Sequence, residues 1–341
     1  MMAPTLEQRD PSALPPGTAV CLGAFDGMHL GHQALVEHAK ARAQHVGLVT
    51  FDPHPMQVLA PSRAPQLLQT ATQRRRVCSA LGIEHLVLLP FDHALAQMSA
   101  EQFVQQVLLD GLRPSTVVVG EDFRFGRGRE GDGARLSELL APAGIDVVRV
   151  PPVPAPPGAR DPAADASSKL GATAVREAVA TGAMERAGLM LGRWHSVAGT
   201  VVSGAKRGRT IGFPTANIAA PDAAMPPPGV YATVLAVWND QGPCAGAVWP
   251  SVTNLGQNPT FSPEQPGVAL PFSLEAHVLD EDLGEQLYGR DVELSFVARL
   301  RDEQRFDGPA ALVAQIERDI VAARPRLGPD ALANIIAPTP S

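Results

Sequence analysis

The stretch Gly23–His32, GAFDGMHLGH, places three glycines and two histidines inside ten residues, directly after the apolar run Ala19–Leu22. Beyond it Leu35, Val36, Ala39, Ala43 and Val46 recur at helical spacing. The pattern is strand, glycine-rich turn, helix, and it commits the chain to α/β architecture at its start. A turn of this kind lets backbone N–H groups approach a phosphate, and the helix N-terminus that follows adds positive potential. His29 and His32, three residues apart, can donate to one phosphate; two such histidines can also cap a helix or form half of a zinc site. Gly23, Gly27 and Gly31 together with the upstream strand favour the phosphate cradle.

The alternation continues. Gly47–Phe51, His85–Leu89, Val117–Val119 and Val147–Val150 read as strands, while Ala71–Leu81, Ala100–Leu109 and Ala134–Leu140 read as helices. Strands alternating with helices of this length imply right-handed crossovers and a parallel sheet covered on both faces, with ligands at the carboxyl ends of the strands. Three loops then share one edge: GAFDGMHLGH, TFDPHP at Thr50–Pro55, and GEDFRFGRGREGD at Gly120–Asp132. Six of the twelve residues from Pro151 to Pro162 are proline, which excludes a helix or strand and predicts an extended loop beside the site. Helical segments at Ala174–Ala180 and Met184–Leu191 precede a domain boundary near Gly192–Arg193, giving modules 1–192 and 193–341. From Trp194 the pattern changes to short alternating runs, His195–Ser203, Gly229–Trp238, Cys244–Asn254, Leu274–Leu279 and Val292–Leu300, as in a closed antiparallel barrel with a helix, Pro309–Ala323, on its outside.

A length of 341 residues suits two domains, each with its own core. The net charge of −7 argues against a nucleic-acid or membrane-surface partner, since those select basic surfaces. Positive charge is instead local: Arg124, Arg127 and Arg129 in one glycine-rich loop, Lys206, Arg207 and Arg209 in another. Three scattered cysteines build neither a disulfide framework nor a zinc set, and no window reaches the apolar length of a membrane span, so a cytoplasmic protein is expected, as a monomer or weak homo-oligomer. In GAKRGRTIGFPTAN, Gly204–Asn217, the glycines suit a flap over phosphates. Thr215 and Asn217, two apart in an extended segment, offer neutral oxygens on one side for a hard Mg²⁺.

Taken together these motifs resemble the prokaryotic bifunctional riboflavin kinase/FMN adenylyltransferases, over roughly Thr18 to Leu327. GAFDGMHLGH is similar to the HxGH signature of nucleotidyltransferases. GAKRGRTIGFPTAN, PPGVYA (Pro227–Ala232), NLGQNPTF (Asn254–Phe261), LEAHVLD (Leu274–Asp280) and LYG (Leu287–Gly289) follow in the order of a riboflavin kinase module. The resemblance implies an N-terminal Rossmann-like nucleotidyltransferase domain and a C-terminal antiparallel β-barrel kinase domain. It implies phosphorylation of riboflavin to FMN and adenylylation of FMN to FAD, with ATP and Mg²⁺ and with small molecules as partners. Glu275 matches the general base of the kinase. His29, His32 and Arg176 match the groups that stabilise adenylyl transfer. Gly23, Phe25, Asp26, Gly27, His54, Asp122, Phe123, Arg124 and Thr173 match nucleotide- or flavin-binding positions of the first domain. Gly204, Lys206, Gly208, Arg209, Gly212, Phe213, Pro214, Tyr231, Asn254, Arg301 and Glu303 match those of the second, and Phe306 completes the LRxExxF segment that borders the flavin. At Gly171–Ala172 the chain departs from the two serines usual before Thr173; Ser167, Ser168 and Lys169 stand nearby. The run Pro263–Pro271 is longer than the resemblance leads one to expect. Two other readings are a kinase with a weakened or repurposed adenylyltransferase domain and a non-catalytic flavin-binding regulator.

Overall fold

The computed structural model describes residues 6–160, 170–204, 207–219, 223–238, 244, 246–257, 272–283 and 285–335. The chain divides into two compact units, one built from 1–67, 71–155 and 167–172, the other from 68–70, 156–166 and 173–341.

In the first unit β1 (Leu6–Gln8), β2 (Thr18–Leu22), α1 (Leu30–Lys40), β3 (His45–Asp52), α2 (Pro55–Leu59), α3 (Ala71–Ala80) and β4 (His85–Pro90) follow in order. Then come α4 (His93–Gln97), α5 (Ala100–Phe103), β5 (Thr116–Gly120), a small hairpin of β6 (Arg124–Phe125) and β7 (Gly131–Asp132), α6 (Gly133–Leu140) and β8 (Asp146–Val150). Six of these strands form a parallel sheet ordered β1-β4-β3-β2-β5-β8. Every residue of β2 is buried, as expected of a strand covered on both faces. One face closes over a core that includes Val20, Leu22, Val49, Phe103, Leu108, Val117 and Leu136.

The order of strands locates the site. The chain leaves β2 toward β3 and β4, then returns to β5 on the other side of β2. Order therefore reverses between β2 and β5, and ligands of open α/β sheets bind in the crevice outside the carboxyl ends at such a point. GAFDGMHLGH follows β2 and GEDFRF follows β5.

One expectation needs correction here. The helix expected at Ala100–Leu109 winds as α5 only to Phe103 and continues as a π-helix from Val104 to Leu112. The glycine-rich loop after β5 contains the β6–β7 hairpin, a pairing the sequence reading did not anticipate.

The second unit begins with α7 (Ala172–Ala180), whose first residue falls in the first unit, and α8 (Met184–Leu191). It continues with β9 (His195–Val202), α9 (Arg207–Thr210), β10 (Ala216–Ala219), β11 (Gly229–Val237), β12 (Val248–Gln257), β13 (Phe272–Val278), β14 (Asp291–Arg301), α10 (Pro309–Ala323) and α11 (Pro329–Ala333). The strands close an antiparallel barrel ordered β10-β13-β12-β11-β14-β9. Closure leaves no strand edge exposed. The strand expected at Cys244–Asn254 begins later, at Val248, and runs to Gln257. Its partner β11 fixes that start through the pair Ala236 and Val248. The short β10 was legible only as an extended segment, yet it closes the ring between β9 and β13.

Candidate active sites

At the turn after β2 the backbone is strained. Phe25 and Met28 have φ of 42° and 44°, and Gly27 has 79°. Both non-glycine side chains are wholly buried, and that packing holds a conformation side chains rarely adopt. A side chain at Gly23 would press on the Phe25 ring and one at Gly31 on the His29 ring, so these glycines give the two rings their places. Thr50 Oγ1 donates to Ala24 O at 2.9 Å and Gly23 N to Val49 O at 3.1 Å, tying the turn to β3.

His29 caps α1, and its Nδ1 accepts the His32 backbone N–H at 3.4 Å. With Nδ1 an acceptor, the proton of a neutral His29 ring sits on Nε2. The His32 ring stacks on His29 at 3.7 Å between centroids, and Phe25 meets it edge-on at 5.0 Å. Burial, then the neighbouring His29, holds the His32 pKa well below the usual range, so this ring is neutral at physiological pH. Its Nδ1 is buried without a hydrogen-bond partner among the described residues. Asp26, in the same turn, is also buried.

His54 caps α2, its Nδ1 accepting from Met56 N at 3.2 Å while Gln57 returns a bond to His54 N. After β5, Asp122 and Arg124 are exposed, while Phe123 stacks on Phe125 at 5.6 Å and packs against the core. Phe123 is thus first a wall residue. Thr173 and Arg176 stand in the first two turns of α7, within the second unit. Gly171 has open space where a side chain would project. Ser167, Ser168 and Lys169 lie outside the described residues, as do Lys206 and the run Pro263–Pro271.

In the barrel, a cavity of about 360 Å³ gathers Gly208, Phe213, Thr215, Asn254, Glu275, Arg301, Glu303 and Phe306. A second hollow of about 40 Å³ is lined by Arg209, Pro214 and Tyr288, and Thr215 borders both. Asn217 lines neither. It pairs with Glu275 across β10 and β13, and its amide lies over Gly204, where a Cβ would come within 2.2 Å of Nδ2. Asn254 in turn pairs with Glu275 across β12 and β13. A Cβ at Gly208 would meet Phe213 O at 2.3 Å, and one at Gly256 would meet Glu303 Oε1 at 2.9 Å. Gly212, at φ 89°, turns the segment toward Phe213.

One expected residue is corrected. Tyr231 does not face the cavity: it is wholly buried in the barrel, edge-on to Phe296 at 5.2 Å, and its hydroxyl donates to Pro227 O. Burial pushes that hydroxyl up to about 12.

Sequence reasoning missed other lining residues. His277 shares the face of β13 with Glu275; its Nδ1 bonds Pro214 O at 2.8 Å, and its ring meets Phe213 edge-on. The two-residue spacing in LEAHVLD was the available signal. Leu312, Ile316 and Asp319 reach the cavity from α10. Asp319, buried, grips Arg301 through three contacts of 2.7–3.1 Å, and the guanidinium lies 5.7 Å from the Phe306 ring centre. Helical periodicity announced α10 as an outer element, and nothing local marked Asp319 as the partner of an arginine eighteen residues away.

Two unlike clusters, a strained glycine turn bearing stacked histidines and a barrel cavity bearing a carboxylate, stand on one chain. Comparison with known proteins shows which family the chain is similar to. The family model of FAD synthetase matches residues 12–157 and that of riboflavin kinase matches residues 191–327. The bifunctional riboflavin kinase/FMN adenylyltransferase of Escherichia coli is 32% identical over 316 residues, covering 92% of this chain and 93% of that protein. The chain belongs to this family. Its counterparts in Bacillus subtilis and Listeria monocytogenes are 33% and 34% identical, over 89% and 88% of this chain and 90% and 89% of theirs. A crystal structure described as a macrolide-efflux protein from Streptococcus pneumoniae superposes with a TM-score of 0.78 at 27% identity, covering 94% of this chain and 99% of that one. No helix among the described residues is long and apolar enough to cross a membrane. The chain is a flavin-cofactor enzyme that uses ATP and flavins, with a riboflavin kinase and an FMN adenylyltransferase domain.

Proposed function

We propose that the larger barrel cavity holds riboflavin beside Glu275 and that the turn after β2 holds the phosphates of adenylyl transfer. The observation that carries this reading is the gathering of Thr215, Asn254, Glu275, Arg301, Glu303 and Phe306, distant in sequence, around one cavity. In the kinase step the ribityl 5′-hydroxyl attacks the γ-phosphorus of ATP, its proton passes to a Glu275 carboxylate oxygen, and the bond to ADP breaks. Thr215 borders both hollows, so the flavin takes the larger and nucleotide phosphate the smaller.

Mg²⁺ fits this donor set. Thr215 Oγ1 and the Asn217 amide oxygen are neutral oxygen donors, Asn217 stands opposite Glu275, and an ion that keeps waters and phosphate oxygens needs no carboxylate cage. When bound it neutralises charge on the transferred phosphoryl group.

In the adenylyl step an FMN phosphate oxygen attacks the α-phosphorus of ATP and pyrophosphate leaves. His29 donates through Nε2, and the buried Nδ1 of His32 gains in the phosphate the partner it lacks among the described residues. Such preorganised donors typically contribute about 3–4 kcal/mol each to lowering a barrier. The protein acts as a cytoplasmic monomer or weak homo-oligomer on these small molecules. Incubation with riboflavin, ATP and Mg²⁺, with FMN resolved from FAD over time, tests the reading: both products are expected in sequence, and FMN alone would leave only the kinase.

A further inference from the structure

Helix α3 reads ATQRRRVCSA, with three successive arginines and no acidic residue. At about 100° per residue, three neighbours cannot all face water. Arg75 is half exposed, 3.8 Å from Glu7. Arg74 turns inward and is only 7% exposed. Long basic side chains usually bury the stem and keep the head in water. Here two of the three head nitrogens are buried: Nε and Nη1 of Arg74 are inaccessible and have no hydrogen-bond partner among the described residues.

A guanidinium is always charged, and leaving it buried and unpaired is costly. The arrangement calls for an anion. Position says which kind. Helix α3 forms the crossover from β3 to β4, so its first turns, where Arg74 lies, stand at the carboxyl edge of the parallel sheet. The turn bearing His29 and His32 opens the adjacent crossover at that same edge. A helix start without acidic side chains adds positive potential.

We infer that Arg74 is a phosphate-binding residue of the first unit, supplying a buried guanidinium fork to a phosphate of FMN or to the polyphosphate of ATP. The inference rests on the reading of that edge as the adenylyl-transfer site.

The test compares Arg74→Met and Arg74→Lys with the wild-type full-length protein. Removing a buried, unpaired charge should raise the Tm of the ligand-free protein by about 2–4 °C in Arg74→Met. The same variant should lose the thermal protection that inorganic pyrophosphate or FMN gives the wild type. Its kcat/KM for FAD formation should fall at least tenfold, while riboflavin phosphorylation in the same preparation stays unchanged. Arg74→Lys, which keeps the charge and loses the fork, should fall between. Loss of protection by FMN alone assigns the flavin phosphate; loss with pyrophosphate alone assigns the polyphosphate. A lower Tm in Arg74→Met with protection and KM values retained would mean that a protein carboxylate already pairs Arg74, and the inference fails. If the wild type makes no FAD, the adenylyl-transfer reading fails instead, and pyrophosphate protection still decides the role of Arg74.

Discussion

Glu275 and His277 stand two apart on β13 and face the same cavity, which is how a strand brings two polar groups to one substrate. Replacing Glu275 by Gln keeps the shape and removes the proton acceptor. General bases contribute typically 10²–10⁴-fold, so FMN formation should fall by at least about a hundredfold. FAD formation from supplied FMN should be nearly unchanged, because His29 and His32 belong to the other unit; parallel loss of both activities would refute the two-site assignment. His195 makes a different prediction. It is buried, its Nε2–H donates to Ala224 O at 2.8 Å, and burial lowers its pKa to about 4. The unfolded chain binds this proton below about pH 6.5 and the folded chain does not until about pH 4. The stability held above pH 6.5 is therefore lost as pH falls toward 4, by roughly 2–3 kcal/mol at about 1.4 kcal/mol per unit. Denaturant midpoints of His195→Gln should show a shallower pH dependence across that window, and an equal slope would clear His195 of the effect.

Elements were legible where periodicity and burial agree. The five strands of the sheet from β2 to β8 and the stripe of α1 could be read from apolar spacing, and the HxGH turn from its glycines. What escaped was set by tertiary pairing. β1 has three residues and exists through its register with His85–Val87; β10 has four and exists because β9 and β13 need a bridge. Tyr231 shows the same limit at the site: PPGVYA told of a motif, but alternation in a barrel sends one set of side chains inward, and only the register says which. The flap around α9 was legible as glycine-rich, without the reason for each glycine. At Gly208 the reason is contact, since a Cβ would sit 2.3 Å from Phe213 O, a backbone atom that cannot swing aside. Gly208→Ala should therefore displace the Phe213–Thr215 segment and cut riboflavin phosphorylation more than tenfold, with FAD formation from FMN unaffected. Equal kinase turnover in the variant would show that the segment does not depend on that approach.

At the scale of the whole molecule, the pattern change at Trp194 placed a boundary at residues 192–193, whereas compactness puts α8 and nearly all of α7 with the barrel. The riboflavin kinase match begins at residue 191, the last residue of α8. α8 packs on β9 and β14 and buries Met184, Ala187, Met190 and Leu191. Gly188 lets the Trp194 ring lie against the helix: a Cβ there would meet the ring at 2.7 Å. Trp194 is also held from the other side, its Nε1 donating to Ala331 O and its backbone N to Asn334 O. A fragment beginning at Trp194 keeps the cavity, Glu275 and α10, so it should fold and phosphorylate riboflavin. It loses the helix that covers β9 and β14, and apolar surface returned to water costs about 25 cal/mol per Å². A fragment beginning at Thr173 keeps that cover. The two should share a KM for riboflavin, with the shorter melting about 5–10 °C lower, the shift that roughly 2–3 kcal/mol produces at this size. Equal melting temperatures would place the boundary at residue 193 and make α7 and α8 dispensable to the barrel. An inactive Trp194 fragment rescued by the Thr173 fragment would instead make these helices part of the kinase.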